Sequence, residues 1–219
     1  TFSEENSPLL LIIVCLMWLV FAAVVMYERK MLNTSHIILI IAIAGFILRL
    51  GYIAYTAYNQ RQHDVYDFGG GSGHSQYILY FFENANLPDF DPRNIWQFYH
   101  PPLHHIIAGL WMRFLDLFGM DFARIVENIQ LLTLFYSSSC MVICYRILTE
   151  LGLCKGPLIL SFSLIAFNPS FIIFAGSINN SVKANSISQA FFHQQGCIEN
   201  KIVSCGYVQV RRLTVQPLC

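Results

Sequence analysis

Four stretches of the chain are apolar over roughly the length that crosses a bilayer, and the polar residues collect between them. Residues 8–27 carry no charge at all. A helix of that length is roughly 30 Å long and matches a bilayer core. Residues 36–58 form a second run, rich in Ile and Leu and interrupted by Arg49. Residues 128–145 and 157–178 are two more. A segment in lipid must satisfy its own backbone hydrogen bonds, so all four predict helices. Asn168-Pro169 inside the last predicts a kink, because proline removes one ladder bond.

Two shorter segments carry a helical stripe. In residues 102–118, Leu103, Ile106, Ile107, Leu110, Phe114 and Phe118 recur at helical spacing. The opposite stripe holds His105, Gly109, Arg113 and Asp116. Such a helix is expected to lie in the interface plane. Residues 72–84 are a second candidate, with Tyr77 to Phe82 as the greasy part. Leu87-Pro88-Asp89 and Asp91-Pro92-Arg93 between them are turn sequences. Basic residues orient the set. Arg29 and Lys30 separate the first two runs, and Arg146 and Lys155 the last two. The positive-inside rule places both loops in the cytoplasm and makes residues 59–124 one large outer loop. The expected fold is an all-α polytopic membrane protein with about four transmembrane helices and two interfacial ones.

Residues 181–219 break this pattern, mixing Lys183, Gln189, Glu199, Lys201, Arg211 and Arg212 with no span-length apolar run. The expected division is therefore a membrane portion over 1–180 and an atypical polar tail over 181–219. That tail reads as a truncation or reading-frame change near residue 181, the alternative being a genuine soluble tail.

Composition agrees with the pattern. The chain is 55% hydrophobic and 12% charged, with mean hydropathy +0.51, where a soluble domain is about 25% charged. Formal net charge is zero, so there is no basic footprint for nucleic acid. The first run is no signal peptide, since Glu4 and Glu5 precede it where a signal needs basic residues. Cys15, Cys140, Cys144 and Cys154 lie in or beside apolar runs, where a free thiol behaves as a small hydrophobe. No cysteine pair has zinc-ribbon spacing.

The candidate chemistry sits in the outer loop, where five of the seven histidines fall. Asp64 follows the second run in Arg61-Gln62-His63-Asp64-Val65-Tyr66-Asp67. A carboxylate near the membrane surface can act as general base toward an acceptor hydroxyl; an ordinary solvated loop carboxylate is the plain alternative. A lipid-phosphate leaving group needs cationic donors, and Arg61, His63, His100 and His104 are the candidates. Arg49 is either a functional buried charge or snorkels to the outer interface. The tandem prolines of His100-Pro101-Pro102-Leu103-His104-His105 mark a helix start, whose free N–H groups favour phosphate. They also keep His100 off the regular face a helical metal pair needs, so no metal ligands are assigned, although a divalent cation is compatible with the site. No cofactor is assigned. Gly69-Gly70-Gly71-Ser72-Gly73 lacks the Lys-Ser/Thr of a phosphate loop and reads as a hinge. His74 and Tyr77 can face a sugar, although an interface anchor is the plainer role for the tyrosine.

These residues resemble the GT-C type of membrane glycosyltransferase, the broad family of protein O-mannosyltransferases and lipid A aminoarabinose transferases. The resemblance runs over about residues 38–180. It is carried by His63-Asp64-Val65 after a span, by Gly73-His74-Ser75-Gln76-Tyr77-Ile78, and by His100-Pro101-Pro102-Leu103 at a juxtamembrane helix start. The closest likeness is to the phospholipid-carrier-dependent subgroup. It implies Asp64 as the catalytic carboxylate; Asp67, His74, Tyr77 and Asn180 are the candidates to line the substrate. The family often carries Asn-Asp after the fourth span; here Asn180 is followed by Ser181. The implied activity is inverting transfer of a sugar from a polyprenyl-phosphate carrier to an acceptor hydroxyl on the non-cytoplasmic side, in a bacterial cell at the plasma membrane. The expected partners are the lipid-linked donor and membrane lipid, with the acceptor unassigned. The rival expectation is a non-enzymatic transporter or lipid-handling subunit whose outer loop is a lid, for which Arg49 and the Asn168-Pro169 kink are the fitting features.

Overall fold

The computed structural model describes residues 7–57, 68, 74–95 and 98–178; the side chains of residues 7, 8 and 74 lie outside that description. The described residues are mostly helical and contain no strand. The elements are α1 (Ser7–Glu28), α2 (Thr34–Tyr55), α3 (His74–Asn84), a 3-10 turn (Pro92–Asn94), α4 (Leu103–Asp116), α5 (Phe122–Glu127), α6 (Ile129–Glu150), α7 (Lys155–Ala166) and α8 (Pro169–Gly176). Three stretches are long and apolar enough to cross a membrane: Leu9–Glu28, Thr34–Tyr55 and Phe122–Glu150. The pair α7 and α8 passes the same test as one span, bent by 42°.

The caps explain where the helices begin. Asn33 Oδ1 accepts the His36 N–H at 2.9 Å and opens α2. Asp121 accepts the Arg124 N–H and opens α5. Each side chain replaces a backbone partner that a first turn lacks. The expected third run is longer than its apolar centre, because α5 leads directly into α6 and α6 continues to Glu150.

α2 is the central element. It packs on α1, α6, α7 and α8, whereas α1 packs on α2 with most of its surface uncovered. Two apolar clusters mark the two ends. Ile38, Met141, Leu158, Phe162 and Ala166 gather at the end where α2 starts and α6 finishes, beside the Arg29–Lys30 and Arg146–Lys155 connections. At the other end Ile78, Ala108, Met112, Leu115, Ile125, Val126, Ile129 and Ile178 join the α3–α4 hairpin and α5 to the start of α6 and the exit of α8.

The kink is a complete break. Pro169 has no N–H, and Asn168 Oδ1 accepts the Ser170 N–H at 2.9 Å, so a new helix starts there. The carbonyl of Ala166 is thereby freed from the ladder. Arg49 fills the gap: its Nη1 donates to Ala166 O at 2.8 Å and to Gly45 O at 2.9 Å, and its Nε donates to Ser137 Oγ at 2.9 Å. The Ser137 hydroxyl in turn donates to Phe171 O at 3.0 Å. Arg49 is 1% exposed, so it does not snorkel. Gly45 makes this approach feasible, since a Cβ there would stand 3.2 Å from Ala166 O and from Arg49 Nη1.

Helix α4 turns its faces differently from the sequence expectation. His105 and Gly109, placed on the outward polar stripe, are buried with His104, Ala108, Met112 and Leu115. The reason is Gly109, where a Cβ would meet Phe81 at 2.8 Å and the Phe82 backbone nitrogen at 3.2 Å. Only glycine lets α3 lie this close. Leu103, Leu110, Phe114 and Phe118 point outward, and Leu117 beyond the helix is 84% exposed. α4 has fourteen residues, too short for a core of about 30 Å. Cys154 also departs from the free-thiol reading: it is disulfide-bonded.

The Arg49–Ser137 bond sets a stability test. Ser137→Ala leaves the buried Nε without that acceptor and is expected to lower unfolding free energy by about 1–3 kcal/mol. Ser163→Ala is the comparison, because Ser163 bonds only back to Ile159 O one turn earlier. Denaturant unfolding in detergent should separate the two, and equal midpoints would remove Ser137 from the bracing of the break.

Candidate functional site

The candidate site is built where α2 and α8 both end. The last carbonyls of a helix have no partner inside it, and here α6 supplies donors to them. Gln130 Nε2 donates to Gly176 O at 3.1 Å and lies 3.4 Å from both Thr56 O and Thr56 Oγ1. Thr133 Oγ1 lies 2.7 Å from Ala175 O. Gln130 and Thr133 are buried. Gly176 has no Cβ where Tyr52 and Thr56 stand closest, at 2.8 and 3.2 Å. One amide side chain therefore fixes the point from which two connecting segments depart.

Those two segments carry the residues singled out from the sequence. Arg61, His63, Asp64 and Asp67 follow Thr56, and Asn180 follows Gly176; all five lie outside the described residues. Their flanks are described. Phe68, next after Asp67, packs against the cluster of Ile78, Met112 and Ile125, and Ile178, two residues before Asn180, is a buried member of the same cluster.

The α3–α4 hairpin packs against these flanks, Phe68 and Ile178. Pro102 stands at the N-cap of α4, so the tandem prolines do open the helix, with His104 and His105 in its first turn. The Tyr77 ring lies between two others, stacked on Phe98 at 4.4 Å and on His105 at 4.5 Å. It is 3% exposed, which makes it an internal bracket and not an interface anchor. Tyr80 and Phe90 extend this stack edge-on. His104 is buried with its ring 6.1 Å from that of Tyr136 on α6. His100 sits at the rim, half-buried, with its ring 4.5 Å from Tyr99. His74 opens α3.

Comparison with family models, with curated proteins and with solved structures finds no match to this chain.

Among the described candidates, His104 and Tyr77 are closed into packing and His100 is the accessible one. Asp91 and Arg93 form an exposed pair at 2.7 Å across the 3-10 turn. The Arg93 guanidinium holds the Asp91 carboxyl below its ordinary range. The sequence reading missed Gln130, Thr133 and Ser137. Their signal was present, since they repeat at three- and four-residue spacing along one face of an otherwise apolar helix.

Burial pushes the Tyr77 phenol above its ordinary value, with Tyr80 adding to the shift. A raised folded-state value favours the neutral phenol. The stability it contributes is fully present below the ordinary tyrosine value of about 10 and is lost as pH rises through the raised one. Wild type should therefore lose more stability than Tyr77→Phe on going above about pH 10. Unfolding midpoints across that range measure the difference, and parallel curves would contradict it.

Proposed function

We propose that this chain is a membrane glycosyltransferase of the GT-C type, moving a sugar from a polyprenyl-phosphate carrier to an acceptor hydroxyl at the non-cytoplasmic face. One observation carries the reading. The segment holding Asp64 and the segment holding Asn180 leave from a single point, joined by Gln130 to Thr56 and Gly176, and both flank the histidine-bearing hairpin. The described flanks of these segments, Thr56, Phe68, Gly176 and Ile178, thus lie with the hairpin at one end of the bundle.

In this mechanism Asp64 takes the proton of the acceptor hydroxyl as its oxygen attacks the anomeric carbon. The bond from that carbon to the phosphate oxygen breaks on the opposite side, and the lipid phosphate leaves with the electron pair. One displacement inverts the carbon. Two helix C-termini meet at Gln130, and their partial negative charge suits a carbon gaining positive character. The same charge repels phosphate, so the leaving group is assigned to cationic side chains, Arg61, His63 and His100. His104 supports this wall from inside. Asp67, His74 and Asn180 are assigned to the sugar. On this reading α1, α2, α5–α6 and the α7–α8 pair cross the membrane, and α4 lies at its surface with Phe114, Leu117 and Phe118 toward lipid.

A transporter is the second reading, favoured by a specific feature. The α7–α8 span is broken beside a buried cation, and transporters build substrate sites at such breaks. Against it, three of the five Arg49 N–H donors are occupied by carbonyl and hydroxyl oxygens of the bundle itself.

The test is sugar transfer from a radiolabelled polyprenyl-phosphate donor in membranes containing the chain. Asp64→Asn, at equal protein level, should lower transfer by about 10²- to 10⁴-fold. Unchanged transfer removes Asp64 from catalysis, and absence of transfer in the wild type as well shifts the weight to the transporter.

A further inference from the structure

Helices α3 and α4 begin side by side. Tyr77, in the first turn of α3, stacks on His105, in the first turn of α4, with ring centroids 4.5 Å apart. One turn further on, Gly109 of α4 lies against Phe81 and Phe82 of α3. The connection over residues 85–102 thus brings the chain back to the end where α3 started. A helix N-terminus carries roughly half a positive elementary charge, and two of them adjoin here. The first turn of α3 contains no acidic residue to offset that charge. The residue before His74 is Gly73, which has no side chain to serve as a cap. The leading N–H groups of α3 have no partner within the helix.

Ser75 lies in this turn. It is 3% exposed, and its Oγ is a buried hydroxyl without a hydrogen-bond partner among the described residues. A buried hydroxyl left unpaired is destabilising and points to a partner from outside the chain. Helix Cα–Cβ bonds tilt toward the N-terminus, so the hydroxyl leans toward the open end of the turn. Ser75 also shares a face with Ile78, three residues on. Ile78 is buried in the cluster that contains Phe68 and Ile178, the described flanks of the segments holding Asp64 and Asn180. The hydroxyl is therefore on the side of α3 that faces the exits of α2 and α8.

We infer that the N-terminus of α3 is a phosphate-binding site, with Ser75 Oγ donating to one phosphate oxygen and the leading N–H groups of the helix to others. Two positive helix ends and a hydroxyl donor match an anion of this kind. That the phosphate belongs to the lipid-linked donor rests on the glycosyltransferase reading above. The helix ends then orient that donor. The C-termini of α2 and α8 at Gln130 face the anomeric carbon, and the N-termini of α3 and α4 take the phosphate that leaves it. As the bond from carbon to phosphate oxygen breaks, the electron pair stays on the phosphate, beside the N–H groups that stabilise it. Arg61, His63 and His100 supply full charges there, and Ser75 fixes the orientation.

The experiment is calorimetric titration of the purified full chain in detergent with polyprenyl monophosphate, with the uncharged polyprenol, and with inorganic phosphate. Polyprenyl monophosphate should bind, polyprenol should bind far more weakly, and inorganic phosphate should compete with the lipid. Ser75→Ala should weaken binding of both phosphates by about ten- to a hundredfold, the worth of a hydrogen bond to a charged group. Without ligand, Ser75→Ala should unfold at the same temperature as wild type or higher, because the hydroxyl has no partner to lose among the described residues. Equal phosphate affinity in Ser75→Ala and wild type, or polyprenol bound as tightly as its phosphate, overturns the site. Ser75→Cys, whose S–H is a weak donor, repeats the comparison if the alanine variant does not fold. This site and the transfer activity fail separately. Transfer that needs Asp64, with phosphate affinity indifferent to Ser75, removes this site alone. Inorganic phosphate held through Ser75, with no binding of the lipid, keeps the anion site and removes the lipid donor.

Discussion

The bond between the Arg49 guanidinium and the Ala166 carbonyl is the constraint on which the bundle depends. Proline at 169 and the Asn168 cap together remove both donors that could have served that carbonyl from within its own span. A buried carbonyl without a donor costs about 1–3 kcal/mol, and in lipid no water can relieve it. A neutral side chain could also have supplied a donor, at lower desolvation cost. Arginine supplies several donors from one planar group, and three are used here on three backbone or side-chain partners from α2, α6 and α7. The charge thereby ties together the three elements that surround the break. Gly45 follows from this, because the carbonyl reaches the guanidinium only where α2 has no side chain in the way.

The break also sets what lies beyond it. A straight continuation of α7 would not have α8's direction, and the bend of 42° carries α8 across α2 and α6 so that Gly176 abuts Tyr52 and Thr56. Gln130 then closes both helix ends with one amide. Arg49 and Ser137 brace the start of α8, and Thr133 and Gln130 brace its finish. The geometry of the chain's exits is in this sense an outcome of polar side chains along a single face of α6.

Much of the helical skeleton was legible. Runs of apolar residues, tandem prolines and an internal Asn-Pro each act through local physics, and α1, α2, the start of α4 and the break at 169 follow from them. What was not legible depends on partners distant in sequence. Arg49 read equally as snorkelling or buried, because only the freed Ala166 carbonyl decides between them, and that lies 117 residues away. His105 was assigned to water by its polarity, but Gly109 draws α3 onto that face and Tyr77 stacks on the ring. The α6 stripe escaped notice because Ser, Thr and Cys barely lower the hydropathy of a span, while their spacing marks the face that must look inward.

Packing explains His104, His105 and Tyr77 without any ligand: they are enclosed, stacked and far better placed to hold α3 against α4 than to touch a substrate. It does not explain why two connecting segments should start from one amide, since either helix end could have been capped separately by its own residues. Joining them costs the burial of Gln130, whose Oε1 has no partner among the described residues, and an unpaired buried acceptor is retained only where something else is gained. The gain proposed here is a fixed distance between the residues leaving α2 and those leaving α8, which is what a displacement reaction with a base on one segment and a sugar contact on the other requires.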